Sequence, residues 1–324
     1  MNPQRRRFVL MPPALAALGT CRAAFAQDAK SWPDKPIRFI TPYPPGGSSD
    51  IITRLVAQGI GQGLGQSIIV ENKPGAGATL GTEYAAQAVP DGHTFLVAPM
   101  AAVTIAPWLK KLRYGADSFV PVAKLSSSYG LVSARKDAPF NDYREFVAAA
   151  RAQPGKFTFG SNGVGSIVHL TGVLLHKQTG IDVVHVPYKG AVEAANDMLG
   201  GRIDVMYDPV PAPYVKSGQL KGLATVSPIR NPLLPDLPTL REQGFDNNAS
   251  SWFGIFAPRG VPENIVARMA REARKVMASD AVKGPLQAAS MYADFEDPQT
   301  FARRVHDDAG YFGEIIRKEN IKAD

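Results

Sequence analysis

Two glycine-rich stretches stand where a β-rich run gives way to a helical pattern, and both have the make-up of an anion cradle. The first is Pro42-Tyr43-Pro44-Pro45-Gly46-Gly47-Ser48-Ser49-Asp50. The second is Gly160-Ser161-Asn162-Gly163-Val164-Gly165-Ser166, which opens the segment carrying His169. Prolines fix the approach, glycines let the backbone come close to a guest, and Ser48, Ser49 or Asp50 is expected to cap the first helix. A helix start leaves several N–H groups unsatisfied and carries about half a positive elementary charge, so a carboxylate is the natural guest. Neither stretch contains lysine or arginine. The expected grip is therefore by backbone amides, hydroxyls and ordered water, not by a salt bridge. Any one such loop is also explained as a tight connection that uses glycine for packing; finding two in equivalent positions weakens that alternative.

Outside the loops, His169 has two readings, a donor to a bound acid or a structural bond to its own loop. Asp208, just after a strand, either accepts from an amine or hydroxyl of the guest or caps the turn before Pro209. Lys189 reads as a solvated or lobe-contact residue. Competing catalytic motifs fail. Gly160 and Gly165 have phosphate-loop spacing, but Ser166 and Ile167 replace the required lysine and hydroxyl residue. Val168 stands where a dinucleotide fingerprint needs its third glycine. The chain has no G-x-S-x-G elbow and no H-E-x-x-H pair. Its five histidines lack ligand spacing apart from a loose set in the second half. No catalytic residue, cofactor or metal is expected.

These loops need strands before them and helices after them, and from Lys35 onward the chain supplies that alternation. The pattern is that of βαβ units in an α/β protein with a mainly parallel sheet. Strands are expected at 37–41, 67–70 and 94–98, with a helix at 51–60 between the first two. A second series follows: helices at 143–151, 167–176 and 191–199 alternating with strands at 157–160, 183–186 and 203–207. Prolines 209–213 and 228–238 punctuate the chain around a strand near 220–226. Further on come a strand at 251–257 and two amphipathic helices, one led by Pro262 and one spanning Phe301 to Ile316.

At 324 residues and 45% hydrophobic content, the chain can bury one or two cores. Residues 1–26 read as a secretory signal: Arg5-Arg6-Arg7, an apolar run from Phe8 to Leu18, then Ala24-Phe25-Ala26 before Gln27. That run is shorter than the roughly 20 residues of a membrane span. The arginines also resemble a twin-arginine signal, and both export routes stay open. Cys21 sits in a poor lipoprotein context, so cleavage after Ala26 is expected, leaving no thiol. Removing these residues takes four arginines and no acid, which lowers the formal charge from +7 to +3. With no dense basic run after Ala26, nucleic-acid binding is not expected.

The ordered blocks along the chain resemble the Bug-type, TctC-like substrate-binding receptors of tripartite tricarboxylate transporters. The blocks are Trp32-Pro33 with Lys35-Pro36-Ile37, the Tyr43 to Asp50 loop, Val70 to Gly77, and Pro90-Asp91-Gly92-His93-Thr94. They continue with Gly160 to Gly163, His169-Leu170, Val186 to Gly190, Gly201-Arg202-Ile203-Asp204 and Leu234 to Thr239. The resemblance implies a type II periplasmic binding-protein fold, a Venus flytrap whose two lobes are joined by two crossing strands. Lobe 1 would take residues 27–127 and 249–324, and lobe 2 residues 128–248. It also implies a site in which both loops pinch a mono- or dicarboxylate, aromatic acids included. Carried over, that site is Tyr43, Pro45, Gly46, Gly47, Ser48, Ser49 and Asp50 in the first loop, and Ser161, Asn162, Gly163, Val164, Gly165 and Ser166 in the second. Ala76, Gly77, Ala101, Ala102, His169, Tyr188 and Asp208 complete the wall. Two departures bear on ligand size: Tyr43 stands where phenylalanine is frequent, and Ser161 to Val164 replaces a plainer glycine, serine and alanine run. The implied partners are membrane permease subunits, with a periplasmic sensor domain as the alternative, and the implied state is a monomer.

Overall fold

Ile37, Phe39 and Ile40 are fully buried in β1 (Ile37–Thr41), a near-continuous apolar run of the kind a parallel strand needs when both faces are covered. The computed structural model describes residues 32–245 and 251–322. Residues 1–26, expected to be an export signal, and Cys21 within them lie outside the described residues.

After β1, helix α1 (Ser48–Leu64) buries Ile52, Val56 and Ile60 and ends at Gly65. It runs beyond the expected 51–60 in both directions. Its interior glycines lower intrinsic helicity but create contact space: a side chain at Gly59 would run into Val276. Strand β2 (Ile68–Asn72), helix α2 (Thr79–Ala86) and strand β3 (Thr94–Pro99) follow, then a π-helical turn at Ala101–Ile105 and helix α3 (Ala106–Leu109). Two strands that the sequence pattern did not disclose come next, β4 (Phe119–Ser128) and β5 (Leu131–Arg135). Pro121, Lys124 and a serine run disguise β4. Lys124 is nonetheless buried, because Asp294 and Glu296 pair with its ammonium at 2.6 and 3.3 Å.

In the second series, α4 (Tyr143–Ala152) is capped by Asp142, which accepts from the Glu145 amide. Strand β6 (Thr158–Ser161) leads into α5 (Ile167–Thr179), capped by Ser166. Then come β7 (Val184–Pro187), α6 (Ala191–Leu199), β8 (Val205–Met206), α7 (Ala212–Lys216) and β9 (Leu220–Thr225). The strand expected at 203–207 shrinks to two residues. The chain ends with β10 (Trp252–Pro258), α8 (Glu263–Met277), α9 (Lys283–Ala288), β11 (Met291–Glu296) and α10 (Pro298–Lys318). Both expected amphipathic helices are present as α8 and α10, but Pro262 precedes α8 instead of starting it.

The strands form two mixed sheets, ordered β11-β4-β10-β3-β1-β2 and β7-β6-β8-β5-β9. In the first, β1 is parallel to β2 and β3; in the second, β6 is parallel to β7 and β8. The chain leaves the first sheet through Tyr129 and Gly130, and the return path begins at Val226 and Ser227. These segments lie side by side: the Val226 amide donates to Gly130 O at 3.3 Å and the Ser227 amide to Tyr129 O at 3.1 Å.

Candidate functional site

Parallel strands deliver their following loops to one edge, the side on which open α/β sheets bind ligands. In the first sheet Thr41 is level with Asn72, so the 42–50 loop and the 73–78 loop leave together. In the second, Gly160 is level with Met206 and Ser161 with Pro187. Asn162, Tyr188 and Asp208 therefore follow at the same sheet edge. The two sheet edges meet through side chains: Tyr43, Ala78, Ala101, Ala102 and Leu109 share one apolar cluster with Ile167 and Leu170 of α5. The second loop closes on α3. Gly165 is buried at φ +73°, and any side chain there would run into Leu109.

The first loop is held differently from the expectation. Gly47, not Ser48, Ser49 or Asp50, is the residue before α1, and no side chain caps the helix. Asp50 is buried and folds back: its Oδ2 accepts from the Gly46 amide and from Arg54 Nε, both at 2.9 Å, and its Oδ1 from Asn72 Nδ2 at 2.9 Å. Asn72 also donates to Tyr43 O at 3.0 Å. Burial works to raise the Asp50 pKa, but the bonds from Arg54, Gly46 and Asn72 outweigh it and hold the carboxyl below the usual range. A carboxylate so occupied supports the loop. Its partners leave the amides of Gly47, Ser48, Ser49 and Asp50 without an acceptor among the described residues. Residues 44–47 are exposed, Ser48 is half-buried and Ser49 is buried. A side chain at Gly47 would meet only Pro44 O, at 3.9 Å.

The second loop spends more of its hydrogen bonds on itself. Ser161 is fully buried; its Oγ lies 2.7 Å from His185 Nε2 and takes the Gly163 amide at 3.2 Å. The Gly165 amide donates to His169 Nδ1 at 3.0 Å, and the His169 amide to Ser166 Oγ at 3.2 Å. Of the two readings of His169, the bond to its own loop is present. The amides of Asn162, Val164, Ile167 and Val168 have no acceptor among the described residues. Asn162 is the exposed member of the loop.

Around these loops the remaining candidates differ in character. Ala76 and Gly77 are exposed, and Ala76 has φ +49°, a costly conformation for alanine. Ala101 is half-buried, whereas Ala102 is buried in the core cluster. Tyr188 spends its hydroxyl on Asp197 Oδ2 at 2.9 Å. Asp208 is buried, and burial pushes its carboxyl up to about 6 against the opposing bond from the Val210 amide. That bond is the turn-capping alternative read from the sequence. Lys189 is exposed.

Several supporting residues had little sequence signal. His185 belonged only to the loose histidine set of the second half; the β6–β7 register sets it beside Phe159. Arg54 stands one turn beyond Asp50 in α1, an i, i+4 pairing that the spacing itself allows, whereas Asn72 emerges as a support only when β2 comes alongside α1. Among the described residues, no group of His, Cys, Asp and Glu is arranged to hold a metal ion, and no helix is long and apolar enough to cross a membrane.

A sequence profile described as the tripartite tricarboxylate transporter family receptor matches residues 52–321. The chain is 30% identical to the protein BugT of Bordetella pertussis over 315 residues, covering 94% of this chain and 95% of that one. Among solved structures, MatC of Rhodopseudomonas palustris with bound malate is 30% identical at a TM-score of 0.74, covering 88% of this chain and all of that one. An R. palustris protein with adipate is 27% identical at a TM-score of 0.79, covering 90% of this chain and all of that one.

Proposed function

The chain belongs to the tripartite tricarboxylate transporter family of receptors, and from that premise we propose that it captures a small mono- or dicarboxylate outside the cytoplasm and delivers it to a permease. Its fold is that of the periplasmic binding proteins, two α/β bodies bridged by two adjacent connections. The observation that carries the reading is the pair of helix starts, α1 and α5, whose preceding loops leave backbone amides unused and contain no cation. Such a site suits an anion that must be released again, because no buried ion pair has to be broken. The malate and adipate held by the two R. palustris relatives are acids of the size in question.

In this reading residues 1–26 direct export to the periplasm and are removed. Residues 27–127 with 249–324 form one lobe and 128–248 the other, closing over the guest as a monomer. The closed form is then the one a permease recognises, a population shift in which no bond is made or broken. The wall consists of the 45–50 and 161–166 loops with Tyr43, Ala76, Gly77, Ala101, Ala102, Tyr188 and Asp208. His169 and the Ser161 hydroxyl serve the second loop from behind.

The test is a thermal-shift panel of carboxylates, malate and adipate included, on protein lacking residues 1–26. A true ligand at about 100 times its Kd stabilises by roughly 2.7 kcal/mol. The Gly47→Val variant is expected to keep its melting temperature and lose that shift, since the position has room for a side chain but the amides beside it would be shielded. Absence of a shift with every acid overturns the reading.

A further inference from the structure

His169 and His185 come from different elements, α5 and β7, yet their rings stack with centroids 4.0 Å apart and planes 15° from parallel. Each ring holds one end of the second loop. His169 Nδ1 accepts from the Gly165 amide, and His185 Nε2 shares a hydrogen bond with the Ser161 hydroxyl, which also takes the Gly163 amide. Phe159 of β6 underlies the pair, 4.7 Å from the His185 ring and 6.2 Å from the His169 ring, both nearly parallel to it. The loop that opens α5 is therefore fastened to two imidazoles, not to the sheet alone.

We propose that the His169–His185 stack is a positioning pair that holds the 161–166 loop in its anion-binding shape, and that proton uptake by the pair releases the loop and its guest. The proposal rests on the carboxylate-binding reading and adds the device that sets one half of that site. The chemistry is asymmetric. A proton on His169 Nδ1 removes the acceptor of the Gly165 N–H and turns that contact into two opposed donors. A proton on His185 is compatible with its serine bond but places a charge against the neighbouring ring.

The surroundings keep both rings neutral near pH 7. The titratable groups facing them are His176 of the same helix and Tyr207 beyond β8, which share a 2.7 Å hydrogen bond, with Tyr143 of α4 behind Tyr207. Burial lowers His169 to about 4; burial, then the nearness of His169, lowers His185 to about 4. Burial and both neighbouring imidazoles lower His176 to about 3. A released loop would return the pair to ordinary histidine behaviour near 6.5. The fastened state binds fewer protons than the released one between about 6.5 and 4, so acidification through that window favours release.

Two measurements on the purified protein test this. In the ligand-free protein labelled with 15N-glycine and 15N-histidine, the Gly165 amide shift should follow the His169 titration from pH 7.5 to 4. A flat Gly165 signal while the ring titrates, or a ring titrating at 6.5, overturns the proposal. The second measurement is calorimetry with malate or adipate, whichever stabilises the wild type, at pH 7.5 and 5. His169→Asn keeps an acceptor where Nδ1 lies but does not titrate. It should bind within about threefold of wild type at pH 7.5 and weaken several-fold less than wild type at pH 5, while His169→Ala should lose at least about tenfold at pH 7.5, one lost hydrogen bond. Protonation of the acid itself affects all three proteins alike, so their difference is the readout. Equal pH profiles for wild type and His169→Asn overturn the latch. If Gly165 follows His169 but neither acid binds, the latch stands and the carboxylate reading fails.

Discussion

At the scale of single residues, the candidate site holds groups that the loops already use beside groups that they leave largely unused. Asp50 carries a charge, but Arg54, Asn72 and the Gly46 amide already use it. Asp208 is the opposite case, a buried carboxyl with one backbone bond. Its folded pKa, raised to about 6, means that the folded protein binds the proton more tightly than the unfolded chain. Between the ordinary carboxylate value and that raised value, stability falls as pH rises. Asp208→Asn keeps an acceptor for the Val210 amide and removes the charge. It should stabilise the protein by about 2–3 kcal/mol at pH 7.5 and by almost nothing at pH 3.5, where the native carboxyl is protonated too. Urea melts at the two pH values check this, and an equal effect at both would contradict it. The sequence placed both aspartates among the candidate site residues, Asp50 in the first glycine loop and Asp208 just after a strand of the second series. It did not tell support from surface, because that depends on Asn72 of β2 reaching Asp50 to join Arg54, which lies four residues further along the same helix.

At the scale of elements, the starts of α1 and α4 make a useful contrast. Both helices are restrained by polar side chains, but only the first start belongs to the candidate site. Asp142→Ala removes the α4 cap and should cost about 1 kcal/mol with unchanged ligand affinity. Asn72→Ala removes the donor to Tyr43 O and to Asp50. It should cost about 1–3 kcal/mol and also weaken ligand binding, since the 42–50 loop loses its tie to β2. Denaturant melts together with calorimetry separate the two; equal affinity in both variants would remove Asn72 from its supporting role. Helix periodicity was legible wherever one face was apolar, as in α8 and α10. Strand β4 was hidden because its buried Lys124 reads as a solvent residue until β11 brings its carboxylates.

At the scale of the whole molecule, the two connections between the sheets run side by side through Tyr129–Gly130 and Val226–Ser227. Gly130 is at φ +48°, and a side chain there would approach Val226 Cβ to 2.8 Å. Gly130→Ala should therefore cost about 1–2 kcal/mol in the left-handed conformation. If the connections act as the hinge of the proposed closure, the variant should also shrink less than wild type when ligand is added, as read by small-angle scattering. Identical compaction would locate the hinge elsewhere.

Local chemistry alone disclosed the α/β alternation and both glycine loops, and with them the expectation of an anion held without cations, since each follows from short stretches of sequence. Membership of the family was likewise legible in ordered short blocks. Tertiary structure alone decided which loop amides remain available, that Asp50 and Ser161 are supports, and that His169 and His185 meet. The physical reason is that a hydrogen-bonding group is defined by its partner, and the deciding partners, Asn72 for Asp50 and His185 for Ser161, lie 22 and 24 residues away in the chain until the strand registers bring them together.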